Sequence, residues 1–485
     1  MITRSGPGGF LRFVAALLLA INGLAVFAKA ETTLPPAVAK ALAAAQIPVS
    51  AVGVVVQDAG SSVARLEVNA GQAMNPASTM KLVTTLAALE LLGPAYTWKT
   101  TAWSSAPLDN GVLAGDLVLR GGADPRLTFE QFWLLLRQVR ARGVRQIAGD
   151  LVLDRGLIAA AEADSHFDDK PLRPYNVGPD ALLLNFKAVR LRLVPDTEKQ
   201  AVLALPEPEP VNLDITNLIK LRAGNGGCGD WKEGLRADLT QHANRWRLVL
   251  TGSYPAACGE KIWNHGLLPH PAYVYGVFEQ LWRELGGSLK GDVRDGPVPA
   301  DARQLAEIES PTLAEIVRDI NKFSNNVMAR QLFLTLGIES GRKPARTEDA
   351  DAAVRGWLES RSLRFPELVL DNGSGLSRRE RIAAGNLARL LAAAWQSPLM
   401  PEFIASLPLN AVDGTMKKRL NGNGITGRAH IKTGTLEGVK TIAGYVLDRN
   451  GRQQIVVFLV NHANAGAAQA AQDALLTWVY EAAGR

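Results

Sequence analysis

Cysteine is nearly missing from this chain: 485 residues contain two, Cys228 and Cys258. Histidine is scarce as well, with six residues, and aromatics make up only 6%. These shortages exclude whole classes of chemistry. His166, His242, His265, His270, His430 and His462 show no spacing that would gather a metal ion, and two cysteines are too few for a cysteine-rich zinc or iron–sulfur site. No metal and no cofactor is expected. The nucleophile turn Gly-x-Ser-x-Gly does not occur, so a Ser-His-Asp hydrolase would lack its serine. One Gly-x-Gly-x-x-Gly does occur, "GNGITG" from Gly422 to Gly427, but it leads into a strand rather than a helix, the reverse of the dinucleotide setting.

Long apolar runs are also lacking, except at the start. "MITRSGPGGFLRFVAALLLAINGLAVFAKA" places Arg4 and Arg12 before a mostly apolar stretch from Phe13 to Phe27, and ends in Ala28-Lys29-Ala30. That is the layout of a cleaved secretory signal over residues 1–30. The run falls short of the roughly 18 apolar residues a membrane span needs, and Asn22 and Gly23 interrupt it. Cleavage removes Arg4, Arg12 and Lys29, so the formal net charge falls from +6 to +3, too mild to argue for nucleic acid. The expected location is the bacterial periplasm, with at most loose membrane association. Thiols can oxidise there, so Cys228 and Cys258 are expected to be joined.

What is present is an ordinary globular composition, 47% hydrophobic and 21% charged. "SAVGVVVQDAGSSVARLEVNA" reads as two strands about a turn, and "RAHIKTGTLEGVKTIAGYVLDRNGRQQIVVFLVNH" as three more. If the two ends share one sheet, it has five antiparallel strands with helices packed on it, an α/β arrangement of the α+β type. That core would take residues 31–95 and 301–485. From 96 to 300 short alternating runs such as "VRLRLV" and "RWRLVL" indicate a β-rich insertion of one or two subdomains. Within it "AGDLVLR" (Ala114 to Arg120) recurs as "AGDLVLD" (Ala148 to Asp154), expected as two similar strands of one subdomain. "LPEPEPV" near Pro206 reads as a stiff connector. "SRRERIAAGNLARLLAAAW" (Ser377 to Trp395) reads as a solvated helix start running into a core face.

The chemistry gathers in three short segments. Ser78 and Lys81 stand three apart at the start of an apolar helix, so both side chains fall on one face. A free serine hydroxyl is a poor nucleophile, and a lysine kept neutral by burial or a neighbouring cation could take its proton. Such a pair also arises by accident, and Ser340 with Lys343 is a second copy, set among Gly341, Arg342 and Pro344 as an exposed turn. What distinguishes the first copy is its company. Ser324-Asn325-Asn326 offers a hydroxyl and an amide at a helix junction. Lys432-Thr433-Gly434 offers, on a strand, a cation for a carboxylate and room for a ligand backbone alongside.

Ser-x-x-Lys, Ser-x-Asn and Lys-Thr-Gly in this order resemble the motifs of the penicillin-recognising serine enzymes. With "PYNVGPDALLLNFKAV", "DNGSGLSR" and "DGTMKKRL", the chain resembles the class C low-molecular-mass penicillin-binding proteins, D-alanyl-D-alanine carboxypeptidases and endopeptidases, over most of its length. The resemblance implies a penicillin-binding, serine β-lactamase-like domain acting on peptidoglycan stem peptides and acylated by β-lactam antibiotics. It implies that Ser78 forms the acyl-enzyme and Lys81 accepts its proton, alone or through Ser324. Asn326, Lys432, Thr433 and Gly434 would bind substrate, and the backbone N–H groups of Ser78 and Thr435 would hold the oxyanion. A serine β-lactamase would share the three motifs, and a non-catalytic wall-binding protein would place the function in the insertion.

Overall fold

The computed structural model describes residues 31–159, 167–168, 170–223, 227–243, 245–422 and 424–481. The expected leader, residues 1–30, and His166 lie outside these. The central sheet has five antiparallel strands in the order Ala64–Val68, Val52–Asp58, Gln453–Asn461, Val439–Leu447, Ala429–Leu436. Both ends of the chain supply it, as their strand and turn patterns suggest. Runs such as "VGVVVQD" and "QQIVVFLVN" are apolar nearly throughout because both faces of the sheet are covered. Val55, Ile455, Val457 and Leu459 face a helical layer that includes Lys81–Leu92, Leu313–Phe323, Asn326–Glu339 and Ala384–Gln396. Val54, Val56, Val456, Phe458 and Val460 face Pro36–Ala44 and Gln469–Glu481.

The β-rich region has its own core. The two Ala-Gly-Asp-Leu-Val-Leu copies lie side by side in parallel, Leu117 opposite Leu151 and Arg120 opposite Asp154. A third strand, Val293–Asp295, extends this order on the far side of Leu151–Asp154, and its lead-in Gly291-Asp292 repeats the Gly-Asp step. The aspartates form a ladder: Asp116 Oδ1 accepts the Asp150 N–H at 2.7 Å, and Asp150 Oδ1 accepts that of Asp292 at 3.0 Å. Glycine is required beside them, since a Cβ on Gly149 would lie 2.5 Å from the Gly115 carbonyl carbon. Between the second and third copies the chain builds a seven-stranded sheet, from Ala188 to Gly266, which carries a Cys228–Cys258 disulfide. Lys99–Ser104 pairs antiparallel with Arg303–Glu309, so the sheet containing the repeats reaches past residue 300.

Two local expectations need correction. "LPEPEPV" is in part a strand, Ala201–Glu207, with Pro206 opposite Leu191. Its outer neighbour Lys220–Arg222 meets it only at Ala201, so the proline falls where that side of the strand is open. The helix expected from Ser377 begins at Ala384. Ser377 Oγ accepts the N–H groups of Arg379 and Glu380, at 2.9 and 3.3 Å, and holds this stretch as a turn instead.

Candidate active site

Ser78 sits in a 3-10 turn, Ala77–Met80, and Lys81 opens the helix Lys81–Leu92. In such a turn side chains three apart eclipse, which sets the amine over the hydroxyl. Lys81 Nζ lies 3.1 Å from Ser78 Oγ and 2.6 Å from Asn326 Oδ1, and it also donates to the Ser374 carbonyl. Ala77 has a φ of +46°, a left-handed conformation that costs a non-glycine residue roughly 1–2 kcal/mol. The surroundings enforce it. Asn75 Oδ1 accepts the Ala77 N–H at 2.8 Å, and Asn461 brackets Asn75 with two bonds of 2.7 and 3.0 Å.

The second segment is a helix junction in which each residue has a separate conformational task. Ser324 ends Leu313–Phe323 in the left-handed region, with φ 56° and ψ 39°. Asn325 caps Asn326–Glu339 by accepting the Met328 N–H at 3.1 Å. Asn326 begins that helix and turns its side chain to Lys81.

The third segment lies on the edge strand Ala429–Leu436. Lys432, fully buried, donates to Ser324 Oγ at 2.9 Å and to the Thr433 carbonyl at 2.8 Å. Thr433 Oγ1 donates to Thr415 Oγ1 at 2.8 Å. A Cβ on Gly434 would stand 2.2 Å from Thr441 Oγ1 and 2.9 Å from the Ser78 backbone nitrogen, so glycine lets the strand close onto the Ser78 turn. Thr435 follows, exposed. Ser78, Lys81, Ser324, Asn326 and Lys432 thus meet in one cleft, while Ser340 bonds the Gly337 carbonyl at 2.7 Å and Lys343 is exposed on the surface.

Sequence reasoning gave no role to the loop from Asp371 to Glu380. Glu380 is buried, and its Oε1 accepts the N–H groups of Asp371, Asn372 and Gly373 at 3.3, 3.0 and 2.9 Å. Asn372 Oδ1 accepts from the Ser374 N–H at 3.0 Å and from its hydroxyl at 2.6 Å. These bonds hold the Ser374 carbonyl against Lys81. "DNGSG" carries a visible turn signal, but nothing around Glu380 marks it as the loop's anchor.

Burial holds the Lys81 amine well below the usual lysine range, and the nearby Lys432 and Arg330 lower it further, with Glu380 opposing. Desolvation pushes Lys432 down to about 7. A neutral amine has two N–H donors and one lone pair. Asn326 Oδ1 and the Ser374 carbonyl can only accept, so they take the two donors, and the lone pair is left for the Ser78 hydroxyl.

An antiparallel sheet between helical layers, with this cleft at its edge strand, places the protein in the penicillin-binding, serine β-lactamase-like class. The solved structure of penicillin binding protein 4 (dacB) from Haemophilus influenzae shares the fold with a TM-score of 0.77, at 23% identity, covering 92% of this chain and 99% of that one. The Bd3459 predatory endopeptidase from Bdellovibrio bacteriovorus gives 0.51 at 16% identity, covering 88% and 92%. Among curated proteins, a D-alanyl-D-alanine carboxypeptidase of Actinomadura sp. (strain R39) is 33% identical over 457 residues, 89% of this chain and 81% of that protein. The model of the D-Ala-D-Ala carboxypeptidase 3 (S13) family matches residues 34–482, and the chain belongs to that family.

Proposed function

We propose that the protein is a periplasmic serine D,D-peptidase that cleaves the D-Ala-D-Ala bond of peptidoglycan stem peptides, and crosslinks in which D-alanine is the acyl donor. Ser78 Oγ attacks the carbonyl carbon while its proton passes to Lys81 Nζ. The oxyanion lies against the backbone N–H groups of Ser78 and Thr435. The intermediate collapses, the C–N bond breaks, and the leaving nitrogen takes a proton from the cleft's Lys81, Ser324 and Lys432 network. Water then adds to the ester with Lys81 again accepting a proton, the C–O bond to Ser78 breaks as Oγ takes that proton back, and the shortened peptide leaves. Lys432 and Thr433 face the terminal carboxylate, Asn326 orients the substrate amide, and the edge strand takes the peptide backbone alongside it; Gly434, expected to leave room for that backbone, instead lets the strand pack on the Ser78 turn. A β-lactam enters the same path and remains as an ester on Ser78.

The observation that carries this reading is the 3.1 Å contact between Ser78 Oγ and a buried amine whose other two partners are acceptors only. It favours direct proton transfer to Lys81, because Ser324 is bonded to Lys432 instead. Incubation with a D-Ala-D-Ala-terminated peptide and with crosslinked muropeptides, read by mass, tests it. Free D-alanine and separated stems are expected from the wild type, and neither from Ser78→Ala. Equal release by that variant would overturn the assignment.

A further inference from the structure

We propose that the inserted seven-stranded sheet carries a second binding site, a pocket of about 420 Å³ that takes a carboxylate-bearing stem peptide of the same wall polymer. This rests on the peptidase reading, since it names how that substrate is held away from the reacting bond.

Strand alternation builds the pocket. Leu235 and Leu239, on Leu235–His242, and Trp263 and His265, on Lys261–Gly266, bring apolar surface and one imidazole to it. His265 is only 4% exposed and meets the Trp263 ring edge-on at 4.3 Å between centroids, and among the described residues its ring has the Leu172 backbone as hydrogen-bonding partner, without full hydrogen-bond geometry. The ring's remaining nitrogen is left for a ligand to bond. Burial, with Arg173 and Lys232 adding to it against the opposing Leu172 backbone, lowers the ring's pKa to about 4. The imidazole is therefore neutral, with one donor and one acceptor. Charge comes from the rim, where Lys170, Arg173 and Lys232 oppose a single carboxylate, Asp238. The rim is braced: the disulfide at Cys228 anchors the segment leading to Trp231 and Lys232, and Trp231 packs edge-on against Tyr254 at 5.7 Å.

The pocket is tied to the catalytic cleft by contacts. The Leu172 carbonyl accepts the Gly266 N–H at 2.9 Å, and Asn176 donates to the Lys170 carbonyl at 3.0 Å and to Asp168 at 2.7 Å. Arg378, from the loop that presents Ser374 to Lys81, lies over the Phe167 ring at 5.1 Å. A polymer that repeats its stem peptide offers further carboxylates and alanine methyl groups while one stem occupies the cleft. Three cations beside an apolar wall suit that combination.

The test uses the full protein and the double variant Arg173→Ala/Lys232→Ala, with two substrates: a small D-Ala-D-Ala peptide and insoluble crosslinked peptidoglycan. The expected result is unchanged kcat and KM on the small peptide, and an apparent KM on the polymer raised about tenfold at low salt. High salt, which screens the rim charges, should erase the difference between variant and wild type. Equal KM values on the polymer would overturn the site. So would a loss seen only in binding to phosphatidylglycerol vesicles, which would make the ligand a lipid phosphate. Small-peptide turnover and penicillin labelling report separately on the peptidase reading and on folding.

Discussion

Lys81 and Lys432 are two buried amines in one site; burial lowers both, and the neighbouring Lys432 lowers Lys81 further. The proposed tasks require opposite states: Lys81 would be neutral to take a proton, and Lys432 charged to meet a carboxylate. With Lys432 depressed to about 7, its cation is present below that pH and lost as pH rises through it. For carboxylate-terminated peptides kcat/KM should therefore fall above about pH 7, while in Lys432→Arg the alkaline limb should disappear up to about pH 9, since a guanidinium does not deprotonate there. A pH profile of both proteins checks this. Gly434→Ala places a methyl 2.2 Å from Thr441 Oγ1 and 2.9 Å from the Ser78 nitrogen. Acylation by penicillin should slow about a hundredfold, in line with the loss of an oxyanion donor, with a small change in melting temperature, read by stopped-flow labelling and calorimetry. The grouping of Ser78, Lys81 and Lys432 was legible because residue type and order mark the three motifs. Glu380 was not, because its importance comes from three backbone N–H groups that only the folded loop brings to it.

At the scale of elements, the site depends on terminations. A 3-10 turn ends at Met80, a left-handed serine ends one helix, and an asparagine caps the next. Asn325 itself faces neither Lys81 nor Lys432; its side chain holds the start of Asn326–Glu339. Asn325→Ala should cost about 1 kcal/mol of stability through the lost cap. It should also slow acylation by loosening Asn326, whereas Asn325→Asp, an equally good cap, should retain both. Urea unfolding and acylation rates decide between these. The helix junction was readable from "KFSNN" set between two apolar periodic runs. The late start of Ala384–Gln396 was not, since Ser377 and Glu380 are spent on the loop before it.

For the whole molecule, the two chain ends were recognisable as one sheet because strand, turn and helix signals stayed in step. The third Gly-Asp copy escaped notice because "GDVRD" keeps only one apolar residue of the pattern and follows after the entire seven-stranded sheet. This sheet packs in the core of the β-rich region, apart from the helical layer that carries Lys81. Cys228 and Cys258 are 30 residues apart, so reducing their disulfide should remove about 3.6 kcal/mol from its stability. Penicillin labelling at Ser78 should stay within about twofold of the oxidised protein. Calorimetry and labelling with and without reductant measure both effects.

In the proposed reaction Ser78 is the nucleophile and the buried Lys81 its base. Peptide mapping by mass after brief exposure to penicillin tests it most directly, on wild type, Ser78→Ala and Lys81→Ala. One adduct on the peptide containing Ser78 is predicted in the wild type, none in Ser78→Ala, and at least about a hundredfold slower accumulation in Lys81→Ala, at the lower end of losses for a missing proton acceptor. An adduct on any other residue, or wild-type kinetics without the lysine, would contradict it.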